Sequence, residues 1–429
     1  MTSPSLSDLA TNPSCQDDYD PNSMPVDQAR QYIRTYLSPL SETESIALLD
    51  ALGRILARDI LSPHNVPNHD NSAMDGYAFN AADIEPGDAD TQTALTIIGT
   101  AFAGTPYTGK IEAGQCVRIM TGGVMPQGAD TVIAQERTSV KDGTVSFTEK
   151  LACGTNVRYA GEDLQAGQVV LKTGHRIRPV DLGLIASLGI GQVDVFRRLK
   201  VAFFSTGDEL VSIGTELASG QLYDSNRYSL FGMLARMGVE VIDLGIVRDD
   251  PAALERALVE ASSKADVILT SGGVSVGEAD FMKQLLEKLG QVLFWKIAMK
   301  PGRPLAYGKV GNAHYFGLPG NPVAVMVTFY QFVREALLVL MGQPAPAALP
   351  LFKVTCTAPI KKLKGRTEFQ RGILYQADNG DWEVKPTGHQ GSGVLSSMSL
   401  ANCFIVLDET VGNLDAGSTV NVQIMDGIV

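Results

Sequence analysis

The chain has 429 residues, of which 45% are hydrophobic and 19% are charged. This composition is typical of a soluble globular protein, and the length predicts roughly three or four domains, because one hydrophobic core rarely serves more than about 300 residues. The formal net charge of −12 argues against general binding of nucleic acid or of an anionic membrane. No run approaches the roughly 18 consecutive apolar residues of a membrane span.

The N-terminal segment, residues 1–24, lacks the basic start and the apolar stretch of a signal peptide. It is predicted to be a disordered acidic leader. The five cysteines are far apart, and none belongs to a CxxC motif. This pattern argues against a disulfide framework and a zinc site and favours a reducing, cytoplasmic environment.

Two helical patterns follow the leader. In VDQARQYIRTYL the apolar residues Val26, Ala29, Ile33 and Leu37 recur at helical spacing. In SETESIALLDALGRILARDI the serine and the glutamate three residues later have the spacing of a capping box. This second pattern predicts a helix whose buried face consists of Ile46, Leu49, Leu52 and Leu56.

From about Pro63 onward, short β-like runs alternate with glycine and proline, and a helical pattern returns near Pro179. This order predicts a β-rich domain II, residues 63–157, which is inserted into an elongated helical domain I. Domain I is then made of two segments, residues 25–62 and 158–198.

Predicted strands and helices alternate between residues 199 and 343, which favours a mostly parallel sheet with helices on both faces. The predicted helices span residues 226–237, 251–264, 280–289 and 322–340. After a GQPAPAALP linker the chain returns to short strands, typical of a small barrel or sandwich. The predicted fold class is multidomain α/β plus β, with a Rossmann-like three-layer α/β/α domain III (199–343) and a β-barrel-like domain IV (344–429).

The loops after the strands of domain III are rich in glycine, proline and charge. Ligands of a parallel sheet bind beyond the carboxyl ends of its strands, so these loops predict one site. In TSGGVSVGEAD, Gly272 and Gly273 let a ligand approach the backbone, and the hydroxyls of Ser271 and Ser275 can bind its oxygens. Glu278 stands where a P-loop has lysine, so this is not a Walker A motif.

A local basic cluster is predicted in LFWKIAMKPGRP. If this segment is a strand, alternation places Lys296, Ala298 and Lys300 on one face, next to Arg303. The two lysines then form an anion site or, alternatively, protect an exposed sheet edge.

Carboxylates from several of these loops surround the basic cluster. Phosphate cannot bind among carboxylates unaided, so a hard divalent cation of the Mg²⁺ type is predicted, with Glu209, Asp249 and Asp280 as candidate ligands. For each acid a helix cap or a solvated loop charge is an alternative, and Asp280 is the clearest candidate for an N-cap.

Several motifs, in order, resemble those of one family. In domain III they are FSTGDEL, SGGVSVGEAD, KPGRP and GLPGNP, and elsewhere they are HDNSAMDGYA, RIMTGG, GED, FQRG and TGHQGSG. From about Pro25 onward the chain is identified as a member of the molybdenum insertases, the bacterial molybdopterin molybdenumtransferases, and is similar to the C-terminal portion of gephyrin. His69 departs from the family pattern, which more often has an aromatic residue there.

The resemblance implies the last step of molybdenum cofactor biosynthesis. Molybdate is inserted into adenylylated molybdopterin and AMP is released, with Mg²⁺ as cofactor. It also implies a homodimer with a composite active site, in which the α/β domain of one subunit faces the first two domains of the other. Whether a molybdopterin adenylyltransferase docks on the protein is left open.

The resemblance also carries the family's active-site positions onto matching residues of this chain. From the first two domains these are Asp75, Thr121 and Asp163. From domain III they are Glu209, Asp249, Asp280, Lys296, Lys300, Pro319 and Pro322, and from domain IV they are Arg371 and Ser392. The basic and hydroxyl groups among them suit the molybdate dianion, whereas Asp75 or Glu209 is a candidate base or orienting group.

Individual motifs have structural alternatives. Asp75 and Gly76 can form a simple β-turn, TGHQGSG a flexible loop, and the two prolines of LPGNP the end of a strand and the start of a helix. Alternative functions are a molybdopterin adenylyltransferase, a non-catalytic molybdopterin-binding scaffold and a hydrolase of the nicotinamide-nucleotide amidase type. Motifs outside domain III count against the first, and the intact motif set favours an enzyme over a scaffold.

Overall fold

The computed structural model describes residues 23–84, 91–273, 279–343 and 349–425. Ser275, Glu278, most of the predicted leader and most of the predicted linker lie outside the described residues. The chain divides into two compact units. The first comprises Met1–Ser45, Gly53–Ala57 and Asp194–Val429, and the second comprises Ile46–Leu52 and Arg58–Val193.

Helix α1 (Val26–Thr35) confirms the first helical pattern. Val26, Ala29 and Ile33 are buried, as three residues on one helical face should be. They pack into the large core of the first unit.

The second predicted helix is wrong. Thr43–Ala47 form strand β1 and Leu48–Ala51 a 3-10 turn. Leu49 and Leu52, which the helical pattern would bury, are 86% and 52% exposed. Strand pairing of β1 with residues 192–196 overrides the local helical spacing.

The second unit is built mainly of short strands. Those of its described residues are β2 (Ile60–Leu61), β3 (Asn71–Ser72), β4 (Gly76–Phe79), β5 (Thr93–Ala101), β6 (Gln115–Ile119), β7 (Thr131–Ala134), β8 (Ser139–Lys141), β9 (Thr144–Phe147), β10 (Val157–Arg158) and β11 (Val169–Leu171). Strands β4 to β9 form one sheet in the spatial order β7-β4-β6-β5-β9-β8. Helix α2 (Pro179–Ser187) follows, so the predicted β-like runs and the returning helix are confirmed.

The first unit contains the α/β sheet. The strands from residue 192 to residue 318 are β12 (Gln192–Phe196), β13 (Lys200–Thr206), β14 (Leu210–Val211), β15 (Leu222–Tyr223), β16 (Glu240–Val247), β17 (Val267–Ser271), β18 (Gly290–Lys296), β19 (Met299–Lys300), β20 (Pro304–Val310) and β21 (Ala313–Leu318). The sheet has the spatial order β16-β13-β17-β21-β20-β18. Strand β20, which the sequence analysis missed, is antiparallel to both its neighbours.

The direction of the strands positions the candidate site. Strands β16, β13, β17 and β21 are parallel to one another. Because β20 reverses direction and β18 reverses it again, β18 runs with the parallel set. The carboxyl ends of β13, β16, β17, β18 and β21 therefore meet at one edge of the sheet, as ligand-binding α/β sheets require.

Helices cover both faces of this sheet. They are α3 (Ser225–Met237), α4 (Pro251–Lys264), α5 (Ala279–Leu289), α6 (Pro322–Thr328) and α7 (Arg334–Leu340), with a π turn at Phe329–Val333. Val201 and Phe203 of β13 share a core with α3, α6 and α7, whereas Ala202 and Phe204 share another with α4 and α5. This alternation confirms the predicted three-layer α/β/α arrangement.

The stretch Pro322–Leu340 has the length and apolar composition of a membrane span, but 83% of its most apolar window is buried inside the protein. Val323, Val327 and Leu337 belong to the core beside β13. This is the environment of a core helix.

The C-terminal region is a closed barrel. Its described elements are β22 (Phe352–Cys356), β23 (Thr367–Gln376), β24 (Trp382–Pro386), helix α8 (Leu395–Leu400), β25 (Cys403–Leu407) and β26 (Thr419–Ile424). The spatial order is β19-β23-β24-β22-β26-β25, and pairing of β23 with β25 closes the ring. The prediction of a C-terminal barrel is confirmed.

The predicted alternation through LFWKIAMKPGRP is wrong beyond Lys296. Strand β18 ends at that lysine, and Lys300 lies in β19, which pairs with β23 of the barrel. Ala298, which the alternation places with the lysines, is buried. The chain leaves one sheet and joins another here, so a single strand period does not describe the segment.

Candidate active site

A cavity of about 670 Å³ lies at the carboxyl edge of the α/β sheet. The loops after β13, β17, β18 and β21 line it with residues 206–210, 271–273, 299–304 and 319–321, and Asp249 is added from the loop after β16. Residues 390–392 and Arg366 of the C-terminal region also line it, together with Asn226 and Ala324. The strand-end loops singled out in the sequence therefore converge on one pocket.

Glycine is required where two of these loops approach each other. Gly272 has φ of +93°, and a Cβ at this position would overlap the carbonyl oxygen of Thr206. Gly273 has φ of +70°, and its Cβ would be 3.1 Å from Thr206 Cγ2. Left-handed backbone and close packing both exclude larger side chains, so the glycine pair of the SGG motif shapes the pocket.

Three carboxylates, those of Asp208, Glu209 and Asp249, line the pocket. The hydroxyl of Thr206, at the end of β13, donates to Asp249 Oδ1 over 3.1 Å and orients that carboxylate. Among the side chains that the structure describes, no three His, Cys, Asp or Glu residues converge as a metal cluster. Asp280 lies in the first turn of α5, and its side chain is outside the description.

Three basic residues, Lys300, Arg303 and Arg366, line the same pocket. Lys300 Nζ is 3.7 Å from Glu368 Oε1, a buried carboxylate of β23. Lys296 is half-buried and is not part of the pocket lining. The pocket thus brings Lys300 and Arg303 together but does not bring Lys296 to them.

Arg371 occupies the interior and not the pocket surface. It is 0% exposed, and its guanidinium donates to the Ser397 hydroxyl and to the carbonyls of His389, Gln390 and Gly391 over 2.9–3.1 Å. Burial lowers the pKa of this guanidinium to about 10. The prediction that Arg371 contacts substrate stays a prediction, and in this structure its side chain holds the loop that presents residues 390–392.

Ser392 and the two prolines of LPGNP lie together. Ser392 and Pro319 line the pocket, and the Ser392 carbonyl accepts a hydrogen bond from Val323 N over 3.0 Å. Pro322 begins α6, where a proline suits the first turn because its missing N–H would have no helical partner. The structural alternative holds for Pro322, whereas Pro319 also borders the pocket.

Asp75 and Thr121 form a pair in the second unit. The backbone N–H and the hydroxyl of Thr121 donate to Asp75 Oδ1 over 2.7 and 2.8 Å. These two bonds lower the pKa of Asp75 below its usual value, so the carboxylate is held ionised. Asp163, the second acid predicted in this unit, is exposed.

Three family descriptions match successive parts of the chain. "MoeA N-terminal region (domain I and II)" matches residues 24–189, "Probable molybdopterin binding domain" residues 205–339, and "MoeA C-terminal region (domain IV)" residues 353–425. The molybdopterin molybdenumtransferase of Haemophilus influenzae is 47% identical over 399 residues, covering 93% of this chain and 98% of that protein. The chain belongs to the molybdopterin molybdenumtransferase family.

Further comparisons agree with this family. The molybdopterin molybdenumtransferase of Nostoc sp. is 37% identical over 377 residues, 86% of each chain. The crystal structure of the molybdopterin biosynthesis MoeA protein from Pyrococcus horikoshii OT3 matches with a TM-score of 0.82 at 28% identity, covering 94% of this chain and 100% of that one. As a member of this family the chain is a transferase that acts in molybdenum cofactor biosynthesis.

Sequence reasoning missed several residues of the transferase pocket. Asn226, at the start of α3, is 7% exposed and donates from Nδ2 to Ser271 Oγ over 2.8 Å and to the Gly320 carbonyl over 2.7 Å. It therefore links the loops after β17 and β21. Arg366 and Gln390 were also missed. Arg366 lies just before the FQRG motif, and Gln390 lies within TGHQGSG, but neither was predicted as a site residue. The basic character of residues 361–366 was the available signal for Arg366.

Proposed function

We propose that this transferase inserts molybdate into adenylylated molybdopterin and releases AMP in a Mg²⁺-dependent reaction, the last step of molybdenum cofactor biosynthesis. The observation that carries the proposal is the mixed charge of the pocket, where an acidic set (Asp208, Glu209, Asp249) and a basic set (Lys300, Arg303, Arg366) line one cavity. A substrate that carries phosphate and oxyanion groups and also recruits a cation needs both sets.

The acidic set fits Mg²⁺ in its chemistry. Carboxylate oxygens are the donors that this hard cation prefers, and Mg²⁺ commonly uses only one or two of them with water and phosphate oxygens. Glu209 and Asp249 would hold the ion, and we propose Asp280 of α5 as a further ligand. When bound, Mg²⁺ would neutralise charge that develops as the phosphoanhydride bond breaks.

The remaining residues bind and orient the substrates. The Ser271 hydroxyl oxygen accepts a hydrogen bond from Asn226, so its own proton is available to a phosphate oxygen. The ammonium and guanidinium groups of the basic set attract the molybdate dianion. The nucleophile at the phosphoanhydride is an oxygen of molybdate or of water, and Asp75 or Glu209 is the proposed group that orients it.

The first experiment measures AMP release from adenylylated molybdopterin by the purified full-length chain with Mg²⁺, with and without molybdate. We expect AMP release to depend on both Mg²⁺ and molybdate, and to fall at least roughly 100-fold in Asp249→Asn. Glu383→Gln, which changes a barrel carboxylate bonded to the Tyr375 hydroxyl, is the matched control. Tight pterin binding without molybdate-dependent AMP would contradict the proposal and support a scaffold.

The family resemblance supports three further parts of the proposal. The enzyme acts in the cytoplasm, and it forms a homodimer with a composite active site to which Asp75, Thr121 and Asp163 contribute from the first two domains. A molybdopterin adenylyltransferase that supplies the adenylylated pterin is a proposed partner. The assembly is tested below by mixing two inactive variants.

A further inference from the structure

A buried carboxylate of the barrel lies next to the pocket lysine. Glu368 Oε1 is 3.7 Å from Lys300 Nζ, and the Glu368 side chain is 3% exposed whereas that of Lys300 is 52% exposed. The two residues are register partners in the pairing of β19 with β23. Their proximity is therefore fixed by backbone pairing and not only by two flexible side chains.

Two further polar groups act on Glu368 besides the Lys300 ammonium. Gln370 Nε2 donates to Glu368 Oε2 over 2.9 Å. Lys362 also attracts Glu368 electrostatically, but its ammonium donates to the carbonyls of Leu363 and Val411. A buried carboxylate is costly unless it is hydrogen-bonded and paired with a cation, so Glu368 depends on Lys300.

We propose that Glu368 is a positioning residue for oxyanion binding, which holds the Lys300 ammonium at the pocket. A lysine ammonium has three N–H donors. One can face Glu368, and two are left for an anion in the cavity. A lysine side chain is otherwise flexible, so a partner that restrains it lowers the ordering cost of binding. This inference rests on the proposed function, because it assigns the anion to molybdate.

Strand β23 fixes a second part of the pocket lining. Arg371, three residues after Glu368, holds the loop that presents residues 390–392. Glu368 and Arg371 do not line the pocket themselves, yet each orders a segment that does. The barrel is thus expected to act on oxyanion affinity through β23.

The first test measures molybdate binding to the full-length chain by titration calorimetry. In Glu368→Gln we expect the Kd for molybdate to rise about tenfold, because the Lys300 ammonium loses its charged partner and is less well positioned. In the control Glu383→Gln, which changes a carboxylate on β24 of the same barrel, the Kd should equal that of the wild type. In steady-state assays the same Glu368→Gln change should raise the KM for molybdate and leave kcat nearly unchanged.

The second test measures the ion pair by thermal unfolding, independently of activity. Lys300→Met should lower the Tm, because the buried Glu368 carboxylate loses a cation. Adding Glu368→Gln to Lys300→Met should restore much of that loss, a coupling that two unrelated residues do not show.

The outcomes separate this inference from the proposed function. An unchanged Kd in Glu368→Gln, or no coupling in the Tm series, would overturn the positioning role. If the wild type itself fails to bind molybdate although the Tm coupling is present, the proposed function is contradicted, and the pair is then only a structural one. Weaker binding in Glu368→Gln alone, together with coupling, supports the inference.

Discussion

His314 shows how one buried side chain links the α/β sheet to pH. It lies on β21, is 8% exposed, and its Nδ1 is 3.4 Å from the Tyr307 hydroxyl. Burial lowers the pKa of His314 to about 4, with a further lowering by Lys309 and an opposing effect of Asp266. The folded protein therefore keeps this imidazole neutral, whereas the unfolded chain protonates it near pH 6.5.

The sign of the resulting pH dependence follows from proton uptake by the unfolded state. Above about pH 6.5 His314 is neutral in both the folded and the unfolded state, and the protein has its full stability. As the pH falls from about 6.5 toward 4, only the unfolded state takes up this proton, so the free energy of unfolding decreases by on the order of 3 kcal/mol. We expect His314→Phe to remove this part of the decline, as measured by denaturation at pH 7.5, 6, 5 and 4.

The control for this prediction is His64→Phe, because His64 is exposed. That variant should lose stability between pH 7.5 and pH 4 as the wild type does. An identical decline in His314→Phe and in the wild type would show that His314 does not titrate in this range.

At the scale of elements, the loop after β17 and helix α3 offer a matched pair of glycines. Gly272 has φ of +93° and its Cβ would overlap Thr206, whereas Gly232 lies within α3, and outside its own helix backbone and chain neighbours no atom is within 4 Å of its Cβ position. Gly272→Ala should strain the loop and reduce both pterin binding and AMP release by at least roughly tenfold, since strained backbone costs about 1–3 kcal/mol.

The opposite result is expected for Gly232→Ala. Alanine in a helix interior is more stable than glycine by about 0.5–1 kcal/mol, so the Tm should rise slightly and activity should be kept. If Gly272→Ala were as active as Gly232→Ala, the close approach of the loops after β13 and β17 would not matter to the site.

At the scale of the whole molecule, the proposed homodimer can be tested by complementation. Asp75→Asn and Asp249→Asn should each be inactive. If the two acids of one active site come from different subunits, random mixing gives half heterodimers, each with one intact site, and about a quarter of wild-type activity returns. AMP release after unfolding and refolding the mixture measures this.

The negative result of that experiment is equally specific. If both acids of a site belong to one subunit, every subunit of a mixed dimer carries one defect, and no activity returns on mixing. Mixing Asp75→Asn with Thr121→Ala is the control. These residues are hydrogen-bonded within one subunit and contribute to the same site, so each site of a mixed dimer carries one defect and this mixture should recover no activity.

The residues of domain III were the most predictable from sequence. The bounds of α4 agree with the predicted helix, residues 251–264, and α3 begins within one residue of its predicted start at residue 226. Their strong local periods and the Asp-Pro start of α4 determine them without help from distant contacts. Because parallel strands end at the same edge, the convergence of their loops could also be deduced from sequence.

Tertiary structure decided what local pattern could not. Residues 43–47 have a helical pattern but pair as a strand, and Lys300 leaves the α/β sheet to join the barrel opposite Glu368. Arg371 is a residue type that commonly binds anions at a surface, but it lies in the interior, where the carbonyls of residues 389–391 accept hydrogen bonds from its guanidinium. The sequence by itself determined the helices of domain III, the family and the chemical types at the site, since these depend on short-range periods and motifs. Which side chains reach the pocket, and which only hold it, depends on strand pairing between distant segments, which no local pattern specifies.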